Sequence, residues 1–209
     1  MRKFLAPLAL LLASGAAQAS LVSIDWHSTG DGLLTRDTAS GLEWLDLTQT
    51  YNQSVAAVQT QLGGGGLFDG FRLGLAAEVH GLMSAAGLPV STSTGVVSTA
   101  AADLNAANLL TALLGETVGA NYGSTYYGAR GHLTDNGSDR VVGYYTISGS
   151  QLFNDYVSGA PIWPGAGVWL VRDSADALPE GINDVPEPAS LALLGLGLAG
   201  LMASRRRVC

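Results

Sequence analysis

Asp135-Asn136-Gly137-Ser138-Asp139 gathers oxygen-bearing side chains around one glycine, a composition that suits a hard cation such as calcium. Asp135 and Asp139 are its candidate ligands. The segment lacks the acidic spacing and distal bidentate glutamate of an EF-hand, and an Asn-Gly hairpin turn accounts for the same residues without a metal. No metal or other cofactor is therefore assigned. His27, His80 and His132 stand in no metal-ligand spacing with one another or with a cysteine. Glu78 and His80, two residues apart on an expected helix, do not share a face. No Gly-x-Ser-x-Gly elbow offers a nucleophilic serine. The glycine run 63–66 lacks the Gly-Lys-Ser/Thr ending of a phosphate loop. No catalytic residue is assigned, and the chain is expected not to be an enzyme.

Aromatic side chains offer a different chemistry. Tyr122, Tyr126, Tyr127, Tyr144, Tyr145, Tyr156 and Trp163 concentrate in one stretch rich in β-branched residues. Period-2 alternation sends some of them into a core. Those on the opposite face present flat rings with polar tips, which suit the apolar face of a pyranose.

The two ends carry the most specific patterns. Arg2 and Lys3, the apolar run 4–12 and the Ala17-Gln18-Ala19 box read as a secretory signal peptide over residues 1–19, with Ser20 as the new N-terminus. Its partners are the export translocase and signal peptidase. At the other end stand Val185-Pro186-Glu187-Pro188, the uncharged run 189–204, then Arg205-Arg206-Arg207. The prolines keep the entry extended. The apolar run makes a helix of about 22 Å, short for a bilayer core. The arginines stay cytoplasmic and halt translocation.

This ordered tail, residues 185–209, resembles the PEP-CTERM sorting signal. The resemblance implies processing by an exosortase, a membrane transpeptidase that cuts near the Pro-Glu-Pro box. The protein would be transiently anchored by the C-terminal helix, then displayed at the cell surface or in an extracellular polysaccharide matrix.

Between the ends the cations are Arg36, Arg72, Arg130, Arg140 and Arg172, set against sixteen acidic residues, for a net charge of about −11 with no lysine. Such a balance argues against a nucleic-acid partner. The only cysteine is Cys209, so no intramolecular disulfide can form.

Periodicity and turn chemistry divide the body. Strands are expected at 21–26, 32–35 and 42–47, the last two forming a hairpin around the turn-rich 37–41. Val55, Val58 and Leu62 mark a short helix stopped by Gly63. A short strand at 71–73 leads to a helix over 76–86, and the Ser/Thr/Val-rich 88–98 reads as loop. A further helix spans 100–114, capped by Ser98 or Thr99 and ended by Gly115. Strands follow at 122–133, 141–147, 151–157 and 168–171. The expected fold is one α+β domain of short helices and antiparallel strands over residues 20–172, its last strand able to pair with its first. A linker at 173–184 joins it to the tail.

The body also resembles the Lcl-type C-terminal domain, a C-type-lectin-like α+β family of surface proteins. The resemblance rests on the Gly41-Leu42-Glu43-Trp44 box, on Phe71-Arg72-Leu73 followed by Glu78, and on Gly167 to Arg172. Phe71 replaces the family's tryptophan, and Gly74 stands where it has proline. The resemblance implies core roles for Trp44, Phe71 and Trp169, and a buried or half-buried hydrogen-bonding role for Arg72. It also implies adhesion or glycan binding. Two further readings stay open: a secreted enzyme acting on surface polysaccharide, and a purely structural matrix component.

Overall fold

The computed structural model describes residues 21–135, 137–158 and 164–174. The signal peptide and Ser20, most of the linker, the sorting tail, Asn136 and Trp163 lie outside the described residues.

The chain opens with β1 (Leu21–Ile24), β2 (Leu34–Asp37) and β3 (Leu42–Leu45), then a 3₁₀ turn (Leu47–Thr50) and α1 (Val55–Gln59). Next come β4 (Arg72–Leu73), α2 (Ala76–Ala85), β5 (Gly95–Ser98), α3 (Ala101–Leu114) and α4 (Gly119–Tyr122). The second half holds β6 (Tyr126–Asp135), β7 (Ser138–Ile147), β8 (Gln151–Ser158), β9 (Gly167–Val168) and β10 (Leu170–Asp173). The strands form two five-stranded sheets, ordered β1-β2-β3-β10-β4 and β5-β8-β7-β6-β9. All pairings are antiparallel except β6 with β9. The class is α+β, as the mixture of 3.6- and 2-residue periods implies.

The first sheet is buried on both faces, and alternation within β3 shows how. Trp44 enters a cluster with Leu82 and Met83 of α2, Leu110 and Leu114 of α3, and Leu133, Val142 and Tyr144 of the second sheet. Its neighbour Leu45 points the other way, into a smaller cluster with Leu34, Val55, Val58, Phe68 and Phe71. Trp44, Phe71 and Trp169 are all buried core aromatics, as expected, with Phe71 in the smaller cluster and the two tryptophans in the larger.

The expected final strand 168–171 is two strands in two sheets. β9 lies beside β6, whereas β10 inserts between β3 and β4. Trp169 occupies the crossing. Its N–H donates to His132 O at 2.9 Å, its carbonyl accepts from Gly74 N–H at 2.9 Å, and its indole Nε1–H donates to Val142 O at 2.8 Å. The ring meets Trp44 edge to face at 5.8 Å. The terminal strand thus pairs with β3 and β4, not with β1. Gly74, where the resembled family has proline, is explained here. Proline would lose the bond to Trp169, and a Cβ at this position would sit 2.9 Å from the Trp44 ring.

Other boundaries shift for local reasons. β5 forms within the expected loop because it pairs with the edge of β8 across a register shift. α1 ends at Gln59, ahead of Gly63. α3 has Ala100 as its N-cap with no side-chain cap bond. Ser98 instead accepts from Ala100 N–H and donates to Asp103. Arg72 is exposed rather than buried, its side chain 46% accessible, and grips both carboxylate oxygens of Glu78. β10 runs to Asp173, taking the first residue assigned to the linker, and Ser174 N–H bonds Gly41 O at 2.8 Å.

Candidate functional site

The β6–β7 hairpin fixes which residues share a face. Asp135 pairs with Ser138, and Gly137 has φ 75°, the left-handed geometry that a tight turn needs. From that register Arg130 lies opposite Gly143, and Gly143 opposite Asp155 of β8. Arginine and aspartate are two strands apart, roughly 10 Å between backbones. Gly143, having no side chain, leaves the lane between them open. A Cβ there would come within 2.5 Å of the Arg130 Cα and Cβ. The Arg130 guanidinium crosses it, and Nη1 meets Asp155 Oδ2 at 3.1 Å, both side chains being buried.

The next row on the same face is Gly128, Tyr145 and Phe153. Tyr145 stacks on Phe153 at 5.2 Å with the rings 4° from parallel. Tyr126 approaches Tyr145 at 6.0 Å, and Tyr122 of α4 approaches Tyr126 at 6.0 Å. The Arg130 guanidinium packs over the Tyr122 ring, 4.8 Å from its centroid. Nε and Nη2 of Arg130 donate to the carbonyls of Gly165 and Pro164, each at 2.9 Å. That loop is held in turn by Asn52, which accepts from Gly165 N–H and donates to Ala166 O. Main-chain N–H of Arg130 donates to the Thr117 hydroxyl at 3.0 Å.

The result is a cleft of about 330 Å³ lined by Tyr122, Tyr126, Tyr145, Arg130, Asp155 and Thr94. Burial pushes the Asp155 carboxyl up, and the hydrogen bond from Arg130 offsets part of that rise. Burial also raises the Tyr145 phenol, with the nearby Asp155 charge adding to it. A row of rings beside a buried acceptor can stack a flat ligand and orient it by one polar contact.

The remaining tyrosines divide as alternation requires. Tyr144 faces the core, where burial raises its phenol and the Thr111 hydroxyl bonds it at 3.3 Å. Tyr156 turns toward α2, its hydroxyl donating to Asp135 and its ring 5.7 Å from His80.

Asp135 and Asp139 do not converge on a shared site. Asp135 Oδ2 is held by Arg140 Nε at 3.0 Å and by Tyr156, while Asp139 accepts from Thr134. A guanidinium thus stands against the carboxylate a cation would need. Among the described residues no group of three or more His, Cys, Asp or Glu could hold a metal ion. The histidines remain apart: His27 stacks on Trp26 at 3.7 Å, His80 is half-buried on α2 with burial lowering its pKa, and His132 is enclosed in β6.

A wider depression of about 560 Å³ lies between the β2–β3 turn and α2, and is mostly apolar. It contains two carboxylates, Asp37 and Glu78, both engaged. Asp37 accepts from Ala39 N–H, Ser40 N–H and the Ser40 hydroxyl. Arg72 holds the Glu78 carboxyl below its usual range. A general acid needs the opposite shift. The smaller tyrosine cleft, with convergent rings and a buried polar pair, is the better candidate despite its size.

The Arg130–Asp155 pair and the glycine lanes escape a reading based on residue types alone. They become legible once the Asp135–Ser138 pairing sets the register, which aligns Tyr126, Gly128 and Arg130 with Ile147, Tyr145 and Gly143.

A family model described as the PEP-CTERM protein-sorting motif matches residues 184–207. The match takes in the Pro-Glu-Pro box, the apolar run and all three arginines. The chain carries this motif, and the motif implies an exported protein sorted by an exosortase. No curated protein and no solved structure matches the chain. Among the described residues no helix is long and apolar enough to cross a membrane.

Proposed function

We propose that the protein is a non-enzymatic component of the cell surface or exopolysaccharide matrix whose body binds carbohydrate through the tyrosine cleft. The observation that carries this reading is the row Tyr122, Tyr126 and Tyr145 on the outer face of the second sheet, beside the buried Arg130–Asp155 pair. Rings in such a row can stack on successive sugar faces, each contributing about 1 kcal/mol. The sorting motif supports the location, since exosortase substrates leave the cytoplasm. The Lcl-type resemblance supports binding over catalysis.

Binding to polysaccharide purified from the host tests the reading. Tyr126→Ala and Tyr145→Ala should each weaken retention by about fivefold. Tyr127→Ala, on the opposite face of β6, should leave it unchanged. Failure of the unaltered protein to bind any host polysaccharide would remove the proposal. Release of new reducing ends from that polysaccharide would favour a secreted hydrolase instead.

A further inference from the structure

The charges at the cleft are one-sided in what they leave available. Arg130 is the cation of the lining, and its guanidinium is committed on Nε, Nη1 and Nη2 to Gly165, Asp155 and Pro164. Its plane is covered by the Tyr122 ring. Three of its five N–H donors and one face are thereby committed, which leaves little of the fork for a ligand carboxylate or sulfate. Asp155 is different. Oδ2 receives Arg130, whereas Oδ1 accepts no hydrogen bond from the described residues, and the residue lines the cleft. Asp155 lines a site whose other polar groups among the described residues, Arg130 apart, are hydroxyls, those of Thr94 and the tyrosines. The whole body, at about −11 without lysine, adds to the same sign.

We infer that the cleft selects uncharged pyranose units and rejects uronate or sulfated sugars, with Asp155 Oδ1 accepting a sugar hydroxyl. This rests on the carbohydrate reading above. A hydroxyl donating to Oδ1 replaces water at little cost and gains a charge-assisted hydrogen bond. A ligand carboxylate stacked over Tyr145 would stand within several ångströms of Asp155. Repulsion from Asp155 and from the acidic body, which the single Arg130 charge offsets only in part, lowers affinity on the order of tenfold at low salt.

The test is calorimetry on the exported protein with matched oligosaccharide pairs of equal length: glucan and glucuronan, galactan and galacturonan, mannan and mannuronan. At least one neutral member should bind on the order of tenfold tighter than its uronate partner in 20 mM salt, and the gap should narrow in 500 mM salt. Asp155→Asn should weaken the neutral ligand and shrink the gap. Should that variant not fold, the salt dependence of the unaltered protein decides alone. A uronate bound as tightly as its neutral partner at low salt overturns the selectivity and leaves the carbohydrate reading intact. Binding of neither class overturns the carbohydrate reading, and the selectivity with it.

Discussion

Replacing Trp169 with alanine probes the joint between the two sheets. The side chain is fully buried, packs edge to face on Trp44, and donates its indole N–H to Val142 O. Removing a buried tryptophan costs about 3–5 kcal/mol, and leaving the carbonyl of Val142 short of a partner adds roughly 1 kcal/mol. The sum, about 5 kcal/mol, is a third or more of the stability of an ordinary domain. For a domain of this size it corresponds to a fall of roughly 10–20 °C in Tm. Trp169→Phe keeps most of the ring and loses the hydrogen bond, so it should cost about 2 kcal/mol. Trp26→Ala is the comparison, because Trp26 is only partly buried at the edge of the smaller cluster. Thermal unfolding of residues 20–184, followed by circular dichroism, ranks the three variants. A Trp26→Ala midpoint lower than that of Trp169→Ala would refute the placement of the principal core.

Three further outcomes follow from single residues. Glu43 lies in one row with Arg36 and Arg172, bonding them at 2.7 and 2.8 Å. Burial pushes its carboxyl up, but the two arginines outweigh that and hold it ionised. Glu43→Gln should cost about 3 kcal/mol in urea unfolding, at the low end for a buried network because both arginines keep partial access to water. Asp31 accepts from the N–H groups of Trp26, Ser28, His27 and Leu33, which depress its pKa far below the ordinary 3.8. Its contribution is full above that ordinary value and is lost as pH falls through it toward the folded value. The stability difference between the unaltered protein and Asp31→Asn should therefore be largest near neutrality and shrink below about pH 4, a trend that denaturant titrations at several pH values read directly. Mass spectrometry of the exported protein should find Ser20 as the N-terminus, and an intact segment 1–19 would contradict the signal-peptide reading.

Local chemistry made some elements legible and left others hidden. The β2–β3 hairpin follows from the Asp37 to Gly41 turn, whose Asp37 side chain bonds Ala39 and Ser40. α3 follows from its apolar spacing and its glycine stop at Gly115. β5 was hidden because Ser/Thr-rich sequence takes its strand geometry from β8, a partner more than fifty residues away. The split at Trp169 was hidden because a continuous apolar run carries no mark of a change of sheet. Arg130 and Asp155 were hidden because their meeting depends on a glycine in a third strand. The sorting tail was the most legible part because its signal is contiguous in the chain.

The most direct test of the central claim, a sorted surface protein, is fractionation of the native host expressing Pro186→Ala, Glu187→Ala and Pro188→Ala together. The intact box should yield processed protein at the surface or in the medium, and the triple substitution should trap full-length protein in the membrane fraction. Unchanged processing and display of the triple variant would contradict sorting through this motif.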